Sequence, residues 1–391
     1  MAKKGAKKAA GKNKVAKSAS KPTKKASARP SKNPSKPRVV GKGAAPTRPA
    51  ISPSHKVRAA INGFGRIGRM TFLAGLGNAH LEFVAINDLT APKSLAHLLK
   101  YDSVHGRFAG EVGYTDRSLI VNGKEIPVTA VADPEQLPWG AMRVDLVFEC
   151  TGRFLNRTVA AKHLKAGARK VLLSAPHKCT PSEERIKTIV LGVNDKELKP
   201  ADAIISNASC TTNCFAPLAK VLHDNFSMKH GSMITVHAYT STQHVVDGPD
   251  KDLRRARAAA VNIIPTHSGA SEAISQVIPA LAGKFSAQAV RVPVADGSIC
   301  YFVAVVDKKV DAGIVNRAFQ TASQGNLNAV IRYTDEPIVS SDIIHDPHSC
   351  IFDAGLTVVE GGHLVTVAAW YDNEWGYSCR MIDIGLLMFK R

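Results

Sequence analysis

The sequence predicts an α/β fold: a parallel, doubly wound sheet first, then an α+β part on a largely antiparallel or mixed sheet. Three observations predict it. Short apolar runs alternate with helix-like periodicity between Val57 and Ser206. A glycine-rich turn joins the first run to the first helical pattern, and longer β-prone segments (Ala289–Pro293, Ile299–Val306, Leu364–Trp370) follow Cys210.

Before that fold comes a different kind of chain. Residues 1–55 hold 13 Lys and 3 Arg and no acid, whereas the remaining residues carry 36 basic against 32 acidic groups. A mix of Lys, Ala, Ser, Pro and Gly with almost no large apolar side chain cannot offset the entropy of ordering, so a disordered tail is expected. Such an acid-free arm attracts nucleic acid or other polyanions by counterion release, without sequence preference. It has no apolar core of a secretory signal. The longest apolar run, Ile299–Val306, is too short to span a bilayer, and seven cysteines without CxxC spacing favour a reducing, cytoplasmic setting over disulfides or a zinc site.

The folded part starts near Lys56. Val57–Ile61 reads as a strand, and Asn62-Gly63-Phe64-Gly65-Arg66-Ile67-Gly68-Arg69 follows it at once, before apolar residues at Ile67, Met70, Phe72 and Leu73 mark a helix. In a Rossmann-type reading, Gly63 makes the tight turn, Gly65 admits a pyrophosphate, and Gly68 lets helix pack on strand; Arg66 and Ile67 belong to the same turn. The pyrophosphate would rest on the helix N-terminus. A second strand, Glu82–Ile86, ends at Asn87-Asp88, and an acid 20 residues after Gly68 suits the ribose hydroxyls of NAD while repelling the extra phosphate of NADP. The competing reading of Asp88 is a turn cap. Leu146–Phe148, a helix over Arg157–Ala166 and Lys170–Leu173 continue the pattern, and the turns after the two strands make Thr151 and Ser174 candidate cofactor contacts.

Ala203–Ile205 is a further short strand, and Phe215, Leu218, Leu222 and Phe226 recur at helical spacing. Between them lies Ser206-Asn207-Ala208-Ser209-Cys210-Thr211-Thr212-Asn213-Cys214, which sets Cys210 in the first helical turn. There, unpaired N–H groups and the helix dipole lower a thiol pKa. Cys214, one turn on, reads as packing. His237, at the end of the apolar stretch from Ser232, is a candidate base for Cys210, and Thr240 and Thr242 suit a phosphate. The arginine-rich stretch Asp250–Arg257 is either a solvated helix face or part of a phosphate site.

Several of these segments, with Tyr101-Asp102-Ser103-Val104-His105-Gly106, Asn262-Ile263-Ile264-Pro265 and Trp370-Tyr371-Asp372-Asn373-Glu374-Trp375-Gly376-Tyr377-Ser378, resemble phosphorylating glyceraldehyde-3-phosphate dehydrogenases over about residues 57–391. The resemblance implies an NAD-binding Rossmann domain over 56–209, a catalytic domain over 210–374, and a C-terminal helix over 375–391 that returns to the first. It implies NAD as cofactor, no metal, and oxidation of glyceraldehyde 3-phosphate with inorganic phosphate through a thioester on Cys210, with His237 as base. It further implies a substrate-phosphate pocket of Thr240, Thr242 and Arg291 with Arg255 nearby, and an attacking-phosphate pocket of Ser209, Thr211, Ser268 and Gly269. Asn373 would hold the nicotinamide carboxamide. A homotetramer is implied, with 239–262 near subunit contacts. The sequence departs from the pattern at Ser268, Glu272, Val294 and Ala132; Glu272 adds negative charge beside an anion pocket. An erythrose 4-phosphate enzyme and an NADP-using form are the neighbouring alternatives.

Overall fold

The computed structural model describes residues 56–178 and 183–390; the expectations for the basic tail 1–55 lie outside them. Nine strands form the first sheet, in the order Lys187–Thr188, Ile204–Ser206, Lys170–Leu173, Leu146–Glu149, Val57–Asn62, Leu81–Asn87, Lys124–Thr129, Ser118–Val121 and Val112–Thr115. The first seven run parallel, and the last two pairings are antiparallel. Parallel strands covered on both faces need unbroken apolar runs, and Ala59, Ala60, Ile61, Leu146, Val147 and Phe148 are all fully buried.

The antiparallel edge is absent from the pattern drawn above, yet its signal is local. Asn122-Gly123, with φ of +50° and +78°, makes the two-residue turn that favours this dipeptide. The helix expected over Arg157–Ala166 is two short ones, Arg157–Ala160 and Lys162–Lys165, interrupted at Ala161. One face of the sheet carries the helix Arg66–Gly75 and the C-terminal helix Trp375–Leu387. They meet so closely that a Cβ on Gly75 would lie 2.9 Å from Ile382 Cδ1, and one on Gly385 would lie 2.8 Å from both Leu146 and Phe148.

The second sheet has seven strands, ordered Ile264–His267, Phe285–Val292, Met228–Ala238, Ser298–Val306, Leu364–Tyr371, Cys350–Glu360 and Ile331–Thr334. It is mixed: two of its pairings are parallel and the rest antiparallel. It has fewer strands than the first sheet, which gains its antiparallel edge. The helix Cys210–Phe226 lies on it, with Cys214, Phe215, Leu218 and Leu222 fully buried and the Phe215 ring edge-on to Phe285 and Phe302. Each such side chain contributes about 1.5–3 kcal/mol of burial. This anchors the body of the helix while its first turn points at the reacting groups.

Candidate active site

The C-terminal ends of the strands Val57–Asn62, Leu81–Asn87 and Leu146–Glu149 open on a cleft of about 420 Å³ lined by Gly63, Gly65, Arg66, Ile67, Asp88 and Thr151. The strand order diverges between Val57–Asn62 and Leu146–Glu149, which is where an open α/β sheet takes its ligand. The three glycines have separate reasons. Gly63 has φ +90° and a Cβ there would come within 2.8 Å of Thr151 N; a Cβ on Gly68 would strike Gly63 O at 2.1 Å; a Cβ on Gly65 meets no protein atom within 4 Å. The first two are needed by the fold itself, the third by whatever enters the cleft. Asp88 lines the cleft, and its carboxylate caps the turn, accepting from Phe64 N at 2.7 Å and Thr90 N at 2.9 Å. Ser174 ends its strand beside Glu149, donating its N–H to Glu149 O.

A strained turn presents Cys210. Ala208 takes a left-handed φ of +55°, costly for a residue with a Cβ, while its N–H donates to Ser206 Oγ and its carbonyl accepts from Tyr377 Oη. Ser209 caps the helix by accepting from Thr212 N at 3.1 Å. Cys210 Sγ then lies 3.4 Å from His237 Nε2. The histidine ends the strand Met228–Ala238, and the parallel register with Phe285–Val292 pairs it with Arg291. His237 Nδ1–H donates to Ala238 O at 2.6 Å, leaving Nε2 as the acceptor that faces the thiol, and Arg291 Nη1, 2.5 Å from Nδ1, donates to the same carbonyl at 2.9 Å.

The electrostatics correct one expectation. The helix start was expected to lower the thiol pKa, but burial outweighs it and pushes Cys210 up to about 11, against the pull of Arg291 and of Thr211. Burial, followed by the Arg291 guanidinium, pushes His237 down to about 3. Burial therefore opposes a lone charge on either group. A thiolate and an imidazolium 3.4 Å apart attract by about 5 kcal/mol at an effective dielectric near 20, which offsets part of the cost of charging both.

The anion-binding candidates fall into groups. Thr240 Oγ1 and Thr242 Oγ1 are 2.9 Å apart, and Arg255 Nη2 donates to Thr242 at 2.7 Å, so these three join outside the core. Asp250–Arg257 forms turns rather than a helix. Thr211 faces inward: its hydroxyl meets Tyr371 Oη at 3.0 Å, which also meets Thr235 Oγ1 at 2.8 Å. Ser268 accepts from Ala270 N, and Gly269 caps the helix Ala270–Val277. Glu272 lies in that helix's first turn, where the dipole favours an acid, and shares a pocket with His177, Lys178 and Arg185.

Sequence models of the glyceraldehyde 3-phosphate dehydrogenase NAD binding domain and C-terminal domain match residues 57–157 and 209–373. A glyceraldehyde-3-phosphate dehydrogenase of Geobacillus stearothermophilus is 53% identical over 329 residues, covering 84% of this chain and 97% of the relative. The Thermotoga maritima enzyme of that name is 54% identical over 335 residues, 85% of this chain and 99% of its own, and glyceraldehyde-3-phosphate dehydrogenase 1 of Bacillus subtilis is 50% identical over 336, 86% and 99%. The chain belongs to the glyceraldehyde-3-phosphate dehydrogenase family. It is an NAD-dependent dehydrogenase, and the first sheet carries that family's NAD binding domain.

In this dehydrogenase the cleft has buried supports that sequence reasoning missed. Glu149, fully buried, accepts from Asn62 Nδ2 at 2.6 Å, Thr151 N at 2.8 Å and the Thr151 hydroxyl, and meets His163 Nε2 at 3.0 Å. Trp139 Nε1–H donates to His163 Nδ1, leaving Nε2 to carry the proton toward Glu149. Arg66, read as a cofactor contact, also spends its guanidinium on Asp102 and Glu374, joining the glycine turn to the residue after Asn373. His105, Asp296 and Glu374 bring ligand-type atoms within 4.8 Å of one another, with the Arg66 cation already on Glu374.

Proposed function

We propose that this dehydrogenase oxidises glyceraldehyde 3-phosphate and, taking up inorganic phosphate, converts it to 1,3-bisphosphoglycerate through a thioester on Cys210. The observation that carries the reading is the 3.4 Å approach of Cys210 Sγ to His237 Nε2 at the first turn of a buried helix. His237 takes the thiol proton as sulfur attacks the aldehyde carbon. The resulting oxyanion is held by the Cys210 N–H and the imidazolium, and takes that proton to give a thiohemiacetal. His237 then accepts the hydroxyl proton as the carbon is oxidised to a thioester. NAD, when bound in the cleft, supplies the two-electron acceptor; the open space at Gly65 and the carboxylate of Asp88 fit its pyrophosphate and ribose. A phosphate oxygen attacks the thioester carbonyl, the C–S bond breaks, and the Cys210 thiolate leaves next to the protonated His237.

Thr240, Thr242, Arg255 and Arg291 are assigned to the substrate phosphate, and Ser209, Thr211, Ser268 and Gly269 to the attacking phosphate. Thr151 and Ser174 are assigned to cofactor binding, and Asn373 to its carboxamide. We take 56–209 with the helix from 375 as the NAD-binding unit and 210–374 as the catalytic unit. A homotetramer is supported by Val245, Val246, Leu253 and Val261, each more than 70% exposed within 239–262. No helix among the described residues is long and apolar enough to cross a membrane; a cytoplasmic location and a polyanion-binding role for residues 1–55 complete the proposal.

The test is NAD and NADP reduction with glyceraldehyde 3-phosphate and with erythrose 4-phosphate, each with and without phosphate. The expected result is phosphate-dependent turnover preferring NAD and the triose phosphate, lost in Cys210→Ser. Faster turnover of erythrose 4-phosphate, or equal use of NADP, contradicts the assignment.

A further inference from the structure

One hydroxyl joins the base-bearing strand to the residue read as holding the nicotinamide. Ser298 opens the strand Ser298–Val306, which lies between Met228–Ala238 and Leu364–Tyr371 in the sheet. Its position is fixed from both sides, by Ile299 opposite Val236 and by Ser298 opposite Tyr371. Only 1% exposed, Ser298 Oγ accepts from Ala238 N at 3.1 Å, next to His237, and donates to Asn373 Oδ1 at 2.7 Å. The hydroxyl accepts from the Ala238 N–H and gives its own proton to Asn373, whose oxygen faces Ser298. Ser298 thereby engages the amide oxygen and leaves the amide nitrogen Nδ2 to other partners.

We infer that Ser298 is a positioning residue that locks the Asn373 amide with its N–H₂ toward the cofactor, and so sets which face of the nicotinamide accepts hydrogen. The inference rests on the reading of Asn373 as the holder of the carboxamide. Without the hydroxyl, the amide can rotate by half a turn and offer oxygen where a donor is required. The same bond links the Ala238 peptide, and thus the His237 end of the strand, to the cofactor's orientation.

The test compares full-length wild type with Ser298→Ala, Asn373→Ala and the double variant. NAD affinity is followed by fluorescence titration, and the face of transfer by NMR of NADH formed from substrate deuterated at C1. Ser298→Ala should bind NAD about tenfold more weakly, as expected when a buried amide loses its fixed partner. It should also place deuterium on both faces at C4, with the melting temperature little changed. The double variant should match Asn373→Ala. Wild-type affinity and single-face transfer in Ser298→Ala, or additive losses in the double variant, overturn the inference. An unimpaired Asn373→Ala overturns the reading beneath it instead. If Ser298→Ala does not fold, Ser298→Cys, with a weaker donor of similar size, reads the same loss of face selectivity, and its absence counts against the proposal.

Discussion

Cys210 and His237 form a contact in which burial opposes a charge on either group and their mutual attraction offsets part of that cost. His237→Asn leaves the thiol with burial as its dominant influence, so its thiolate appears only toward alkaline pH. Alkylation by iodoacetamide at pH 7 should slow by a factor of ten or more, and its pH profile should move to higher pH than in wild type. An unshifted profile would show that His237 does not stabilise the thiolate. Both residues were legible in the sequence, because a polar helix start and a histidine at a strand end are local patterns. The left-handed backbone of Ala208 was not, since nothing in Asn207-Ala208-Ser209 calls for a positive φ. Glu149, His163 and Ser298 were also hidden: their partners, such as Asn62 at 87 residues and Asn373 at 75, come into range only when the sheets assemble.

At the scale of elements, the glycine turn separates fold from ligand. Gly65→Ala puts a methyl where no protein atom lies within 4 Å, so the folded state should keep its melting temperature while NAD affinity falls about tenfold or more. Gly68→Ala drives a methyl onto Gly63 O and should destabilise by about 2 kcal/mol or more. Calorimetry beside NAD titration checks both, and a destabilised Gly65→Ala with intact affinity would reverse the assignment of roles. The strand–turn–helix here was readable because the glycine spacing and the change of apolar period coincide. The antiparallel edge was overlooked although Asn122-Gly123 announces it, and the break at Ala161 carries no proline or glycine to mark it.

Across the whole molecule, Arg66, Asp102, Glu374 and His105, far apart in the chain, meet in a charged network. Asp296 lies beside it, and burial together with Asp372 and Glu374 pushes its carboxyl up to about 9. A raised carboxyl contributes stability that is full below its unfolded value near 4 and is lost as pH rises to about 9, with a slope of at most about 1.4 kcal/mol per pH unit. Asp296→Asn should flatten the decline in melting temperature between pH 6 and 8.5; an unchanged slope contradicts this origin. Neither network was visible in the sequence, where these residues are spread from 66 to 374. The charge asymmetry of the chain was visible at once, since residues 1–55 contain no acid.

The most direct measurement of the chemistry is intact and peptide mass spectrometry of enzyme quenched in acid after mixing with NAD and glyceraldehyde 3-phosphate, without inorganic phosphate. A phosphoglyceryl adduct on the Cys210 peptide, formed with one NADH per site and discharged on adding phosphate, is the predicted result. An adduct on another residue, or NADH formation with no acyl-enzyme, would contradict the thioester route.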